Sequence, residues 1–139
     1  MPINPDILMN KDLEEVEGSW SEERVILYNI AVGSSQDPMN KSDLDFTVGP
    51  NPKVIPSFAA CIYPMESVFS IIGSEGLEVS LTSLLHGEQK ITIHKDIPSS
   101  GKALTKAKIT AVEDYRKFAS VTIASDSYIG DEKISTAES

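Results

Sequence analysis

The amino-acid pattern predicts an α+β fold, an apolar helix laid on one face of an antiparallel sheet. Three observations carry that prediction. Between residues 57 and 74 the only charged side chain is Glu66, so a helix there is apolar almost all round and has to be buried. From residue 88 onward apolar and polar side chains alternate in successive runs, the pattern of strands with one dry and one wet face. Turn chemistry at Pro98-Ser99-Ser100-Gly101 and at Gly130-Asp131 separates those runs.

Taken in order, the first 18 residues are polar and carry the acidic run Asp12, Glu14, Glu15 and Glu17. They read as a solvated, loosely attached arm. Ser19 stands three residues before Glu22, a capping-box spacing, with Ser21 as the alternative N-cap. Val25, Ile26, Tyr28, Ile30 and Val32 follow, and Gly33 is a natural stop, which predicts a helix over 21–32. Residues 33–56 are rich in Gly, Pro, Ser, Asn and Asp and predict a long connection with at most a short strand over 44–48. Connections of that length are often functional. Ser57 caps a second predicted helix, 57–72, through Phe58, Ala59, Ala60, Ile62, Val68 and Ile72, with Pro64 kinking or splitting it. Strands are predicted over 88–95, 102–111, 118–128 and 132–137, the last cut short where the sequence ends.

At 139 residues and 15.1 kDa, the chain suits one domain, here residues 19–139 behind the arm. Area scaling gives a folded surface of roughly 7,100 Å² against about 21,900 Å² unfolded, enough burial for one core and too little for two. A net charge of −9 disfavours broad nucleic-acid binding and adhesion to anionic membranes. The single cysteine, Cys61, excludes an internal disulfide framework and a Cys-rich zinc module. The longest apolar run, Val25 to Val32, is broken by Asn29 and falls well short of the roughly 20 residues of a membrane span. With no cationic start or apolar signal core, a cytoplasmic location is expected, or a peroxisomal one as part of a longer eukaryotic chain.

Few residues invite chemistry. His86 and His94 would lie roughly 26 Å apart on one extended strand at about 3.3 Å per residue, too far to share a metal. His94 reads as a solvated strand residue. His86 has better company in His86-Gly87-Glu88-Gln89: a carboxylate two residues away shares a strand face and can orient an imidazole, and Gly87 permits close approach. On chemistry alone a structural role for His86 is still favoured. Cys61, between Ala60 and Ile62, reads as a small core residue. Lys102, Lys106, Lys108, Arg116 and Lys117 supply five of the twelve positive charges, a patch able to receive phosphates, although a normal solvated sheet face is the favoured reading. No phosphate loop, nucleophile elbow or zinc-binding pair occurs, and no cofactor or metal is expected.

Several stretches resemble the N-terminal half of the MaoC-like, type 2 (R)-specific enoyl-CoA hydratases, the hydratase part of peroxisomal multifunctional enzyme type 2. They are Tyr28-Asn29-Ile30-Ala31-Val32-Gly33, Asp43-Leu44-Asp45-Phe46, Val54-Ile55-Pro56-Ser57-Phe58, Leu85-His86-Gly87-Glu88-Gln89, and Ile97-Pro98 with Gly101. The resemblance implies a hot-dog fold, an antiparallel sheet wrapped around the 57–72 helix. It also implies an acyl-CoA-accommodating, non-catalytic half of a 2-enoyl-CoA hydratase or 3-hydroxyacyl-CoA dehydratase, completed by a catalytic hot-dog domain or subunit in a homo- or hetero-oligomer. By the same resemblance His86 and Gly87 contact substrate, and the catalytic Asp-x-Asn-x-x-His motif is missing. Where the family often has Asp-Lys-Gly, this chain reads Asp114-Tyr115-Arg116-Lys117, so Arg116 or Lys117 has to supply the charge near CoA. Two alternatives stand beside this: a self-sufficient hot-dog thioesterase or dehydratase using His86 and Glu88, and a degenerate hot-dog module that only dimerises.

Overall fold

A computed structural model describes residues 3–63, 71–72 and 74–139. The helices are α1 (Pro5–Met9), α2 (Glu22–Ala31) and α3 (Lys41–Leu44), with 3-10 turns at Pro56–Cys61 and Leu81–Ser83. The strands are β1 (Val16–Trp20), β2 (Lys90–Ile93), β3 (Gly101–Asp114), β4 (Ala119–Ile129) and β5 (Glu132–Glu138). They form one antiparallel sheet in the order β1-β3-β4-β5-β2.

The alternation that predicts the strands decides which face is dry. On β3, Ala103, Thr105 and Ile109 are buried while Lys102, Lys106 and Lys108 are exposed. The register carries that division across the sheet: Thr105 lies opposite Ser127, and Ser127 opposite Ser135. Gly130 turns β4 into β5 with φ +59°, a conformation glycine adopts without strain. The dry face holds two apolar clusters. One gathers Trp20, Val25, Phe58, Ala59, Ile62, Ile97, Ala103 and Ile134; the other gathers Leu8, Ile71, Leu77, Ile109 and Ile123. Between them runs a buried row of hydroxyls, Thr105, Ser127 and Ser135, with Thr105 and Ser127 hydrogen-bonded at 2.9 Å.

Ser21 caps α2, accepting from the Arg24 backbone N–H, so the second of the two capping candidates is the one used. Phe58 is fully buried at the centre of the first cluster, with the Trp20 and Tyr28 rings edge-on at 6.2 and 5.3 Å. Of the predicted 57–72 helix, the described part is the 3-10 turn Pro56–Cys61, where Phe58, Ala59 and Ile62 are buried, and residues 71–72, where Ile71 is buried. Pro64 and residues up to 70 lie outside the described residues.

Three expectations are corrected. Residues 3–18 are bound into the fold rather than forming a loose arm: Leu8 is fully buried in the second cluster and β1 pairs with β3 as an edge strand. The acidic run concealed this, because Glu15 and Glu17 sit on the wet face against Lys106 and Lys102. The short strand allowed over 44–48 is instead the last residue of α3, Leu44, followed by turn residues whose Thr47 and Val48 N–H groups donate to the Leu44 carbonyl; Asn40 caps the helical turn through the Asp43 backbone N–H. The first sheet strand after the helix is shorter than 88–95, running only from Lys90 to Ile93, and His86 to Gln89 precede it as exposed, irregular chain.

Phe58→Ala and Leu8→Ala should each lower stability by about 2–5 kcal/mol, as truncation of buried large side chains does. Chemical denaturation checks both, and a Leu8→Ala loss below about 0.5 kcal/mol would return residues 3–18 to the status of an arm.

Candidate functional site

The ladder fixes where the candidate residues fall. Lys90 pairs with Glu138, and Glu138 with Ala124, so β2 begins level with the middle of β4 and runs toward the β4–β5 turn. His86 and Gly87 precede it as exposed, irregular chain, and no contact joins them to Arg116 and Lys117 in the β3–β4 turn among the described residues.

The β3–β4 turn is a built feature. The Tyr115 N–H donates to the Phe118 carbonyl at 2.9 Å, and the Lys117 N–H to the Tyr115 carbonyl at 2.8 Å. Arg116 takes φ +68°, a left-handed conformation that strains a side-chain-bearing residue by of order 1–3 kcal/mol. The Asp114 carboxylate holds it there, accepting from the Arg116 N–H at 2.7 Å. Tyr115 and Phe118, both half-exposed, stack with centroids 4.9 Å apart. Tyr115 also donates its hydroxyl to Glu113 at 2.9 Å, and that bond holds its phenol above its ordinary pKa. Glycine is the residue that accepts this φ freely.

At His86 the expected carboxylate partner does not meet the ring. His86 Nε2 lies 3.0 Å from the Glu88 backbone carbonyl oxygen, both residues are exposed, and a Cβ added at Gly87 would meet open space. This is not an acid–base pair facing one water.

The basic cluster does not form one patch. Lys102 pairs with Glu17 at 3.3 Å and Lys106 with Glu15 at 2.8 Å, and that hydrogen bond keeps the Lys106 ammonium above its ordinary pKa. Along β3, Lys102 and Asp114 are about 40 Å apart at about 3.3 Å per residue, so the Arg116–Lys117 turn is remote from the lysines at the other end. The Lys108 charge lies near enough to Asp126 to help lower its pKa.

Cys61 is half-buried, its thiol pushed up by burial against the opposing charge of Arg24. Arg24 donates to the Cys61 carbonyl at 2.9 Å, consistent with a packing residue. His94 is better connected than a solvated strand residue. Thr136 donates its one hydroxyl proton to Asp126 at 2.6 Å, so at the 2.9 Å contact between Thr136 and His94 Nε2 the imidazole is the donor. Lys133 closes the network on Asp126 at 2.7 Å.

A cleft of about 450 Å³ lies at the opposite end of β2, lined by Phe46, Pro52, Lys53, Val54, Pro56, Ile93, Asp96 and Ile97. Sequence reading missed what shapes its wall. Asn29 is fully buried and donates through Nδ2 to the Phe46 and Lys53 carbonyls at 2.7 and 2.8 Å, pinning the loop between α2 and the 3-10 turn. Its Oδ1 has no partner among the described residues. The available signal was the single amide interrupting the apolar run of α2.

Comparison with known proteins places this geometry. The family model for the MFE-2 hydratase 2 N-terminal domain matches residues 19–139. The chain belongs to that family. A curated relative, enoyl-CoA hydratase ChsH3 of Mycobacterium tuberculosis, is 29% identical over 121 residues, covering 86% of this chain and 42% of the relative. The chain thus spans less than half the length of that relative. Among solved structures, a MaoC-like dehydratase from Phytophthora capsici superposes with TM-score 0.81 at 18% identity, covering 98% of this chain and 48% of that one. The C-terminally truncated HadBC 3R-hydroxyacyl-ACP dehydratase complex of Mycobacterium tuberculosis superposes at 0.64 and 12% identity, covering 92% and 95%. The sheet and its order are those of the hot-dog fold, as the motifs imply. Structural neighbours of this kind include complexes of separate subunits.

Asp126 makes the sheet's wet face pH-dependent. Burial raises its pKa, but the Lys133 and Thr136 hydrogen bonds, with the nearby Lys133 and Lys108 charges, outweigh that and leave it lowered. A lowered folded value means its contribution is present above the unfolded carboxylate value of about 4 and is lost as pH falls through the folded value. Asp126→Asn should therefore narrow the stability difference between pH 6 and acid by less than about 1 kcal/mol, the pair being partly solvated. Denaturation midpoints of both proteins across that range check it.

Proposed function

We propose that this chain is the acyl-CoA-accommodating, non-catalytic half of an (R)-specific 2-enoyl-CoA hydratase or 3-hydroxyacyl-CoA dehydratase, completed by a catalytic hot-dog domain or subunit. The observation that supports the reading is the β3–β4 turn, where Arg116 and Lys117 stand exposed beside the stacked Tyr115 and Phe118 rings. Acyl-CoA joins a flat purine and several phosphates to a thioester. A turn with an exposed aromatic stack and two cations offers both a π-face and countercharge for such a head. Gly87, with open space where a side chain would project, leaves backbone accessible to the thioester. Water addition needs a carboxylate and an imidazole facing one water at hydrogen-bonding distance. His86 spends its ring contact on a backbone carbonyl, which disfavours the self-sufficient thioesterase or dehydratase built on His86 and Glu88.

Arg116 provides a clean test. Arg116→Gly removes the cation and also relieves the positive-φ strain, so its thermal midpoint should hold or rise while acyl-CoA affinity falls several-fold and its salt dependence flattens. Lys117→Ala should weaken binding similarly, whereas Lys102→Ala and Lys106→Ala, already ion-paired, should not. Gly87→Val should weaken binding with little change in stability. Calorimetry with a medium-chain enoyl-CoA reads all five; unchanged affinity in Arg116→Gly, Lys117→Ala and Gly87→Val removes the site assignment.

Turnover separates the halves. Loss of enoyl-thioester absorbance should be absent with this chain alone and appear when a hot-dog domain bearing Asp-x-Asn-x-x-His is added. Turnover by this chain alone, abolished in His86→Ala, would instead establish the self-sufficient enzyme.

A further inference from the structure

Residues 3–11 precede the segment that the family model matches, and they are seated on the dry face of the sheet. Leu8 is the buried side chain of α1, fully enclosed among Ile71, Leu77, Ile109 and Ile123. Its neighbours Ile7 and Met9 stay exposed.

What holds this segment down is sparse. The Asn4 N–H donates to the Gly76 carbonyl at 2.9 Å, an isolated bridge joins Ile3 to Leu77, and Lys11 donates to Ser74 at 2.6 Å. The ladder to β3 begins only at Val16, and residues 11–15 have no regular structure. α1 carries its own N-cap, the Asn4 side chain accepting from the Asp6 and Ile7 N–H groups. It can therefore swing as a unit about residues 11–15 without breaking a pair of the β1–β3 ladder. A cavity of about 240 Å³ remains beside it, lined by Ile3, Asn4, Ile7, Glu75, Gly76 and Glu78. Segments with few buried apolar contacts and exposed backbone bonds are the ones that open at least cost.

The pocket that Leu8 fills is aliphatic and stands near charge. Ile109 and Ile123 are cross-strand partners on β3 and β4, and the pair Val112 and Val121 packs against the same cluster. From Ile123 back to Ala119, where β4 begins, is roughly 13 Å at about 3.3 Å per residue. The residues before Ala119 are the turn that carries Arg116 and Lys117. An aliphatic pocket that close to two exposed cations is matched to a molecule with an apolar tail and a phosphate-bearing head.

We infer that the acyl tail of an acyl-CoA occupies the Leu8 pocket, and that residues 3–11 are a lid that leaves the pocket when the tail enters. This rests on the proposed acyl-CoA reading and extends it to chain length. A tail too short to reach the pocket leaves the lid shut. A long tail exchanges the buried surface of Leu8 for its own methylenes, and its affinity is reduced by the fraction of the chain in which the lid is closed.

The test uses the whole chain with butyryl-CoA, lauroyl-CoA and uncharged dodecanol, read by calorimetry and by hydrogen exchange of residues 3–11. Lauroyl-CoA should bind and speed exchange of the Asn4 amide, which the Gly76 carbonyl holds; butyryl-CoA should bind without doing so. Leu8→Ala should raise lauroyl-CoA affinity by about threefold or more and leave butyryl-CoA affinity unchanged, because the closed lid no longer competes. Lys11→Ala, which removes only the clip to Ser74 and leaves the core filled, should act in the same direction. Lauroyl-CoA binding with residues 3–11 as protected as before, or with equal affinity in wild type and both variants, would overturn the lid and leave the acyl-CoA reading standing. Dodecanol opening the lid as well as lauroyl-CoA would overturn the shared site, since the cations of the turn would then play no part. If neither thioester binds the wild-type chain, the acyl-CoA reading falls and the lid with it.

Discussion

The pairing of β3 with β4 is the constraint on which the rest of the molecule depends. β3 is the longest strand, with 14 residues, and its alternation decides which face of every other strand is dry. From one side it takes β1, and with it the two ion pairs that absorb Lys102 and Lys106. From the other it passes the hydroxyl row through Ser127 to Ser135. Its far end turns at Arg116, so one ladder sets both the position of that strained cation and its distance from Lys102 and Lys106.

How much of this was legible depends on whether the determining contact is local. The period-2 alternation of residues 102–111 is local, and it led directly to β3. The N-cap at Ser21 and the turn at Gly130-Asp131 were equally local. What failed were segments whose state is decided from outside. Residues 3–18 look solvated because a short edge strand buries only one face, and the wet face here carries glutamates whose lysine partners lie some 90 positions away. The long connection after Gly33 looked formless because its organiser is a single amide, Asn29, working through two backbone carbonyls. A side chain that bonds backbone leaves no pattern in the residues it holds.

The candidate site shows the same division. The motif His86-Gly87 and the cations of the turn were visible as residues, and the family resemblance gave them a shared purpose. The register carries Lys90 to Glu138 and Glu138 to Ala124, the middle of β4, so it does not by itself join the motif to the turn. Counting charges along the chain allowed a five-member patch beside the favoured reading of a solvated face; the fold pairs Lys102 and Lys106 with glutamates, sets the Lys108 charge near Asp126 and leaves Arg116 and Lys117 in the far turn. Arg116 is where sequence and geometry meet most informatively. A side chain held at φ +68° makes the turn carry strain and a positive charge at one residue.

Under the proposed reading, the absent acid–base pair and the single sheet are connected. A single curved sheet supplies one wall, and addition of water across a double bond requires groups placed on more than one side of the reacting atoms. Here the motif lies on exposed chain that leads into the edge strand β2. Under the proposed reading, the catalytic groups need not be accommodated within this chain at all; they arrive on a second hot-dog domain. The contact of His86 with a backbone carbonyl rather than a carboxylate fits that division, because a ring held by backbone has no acid beside it with which to share a water.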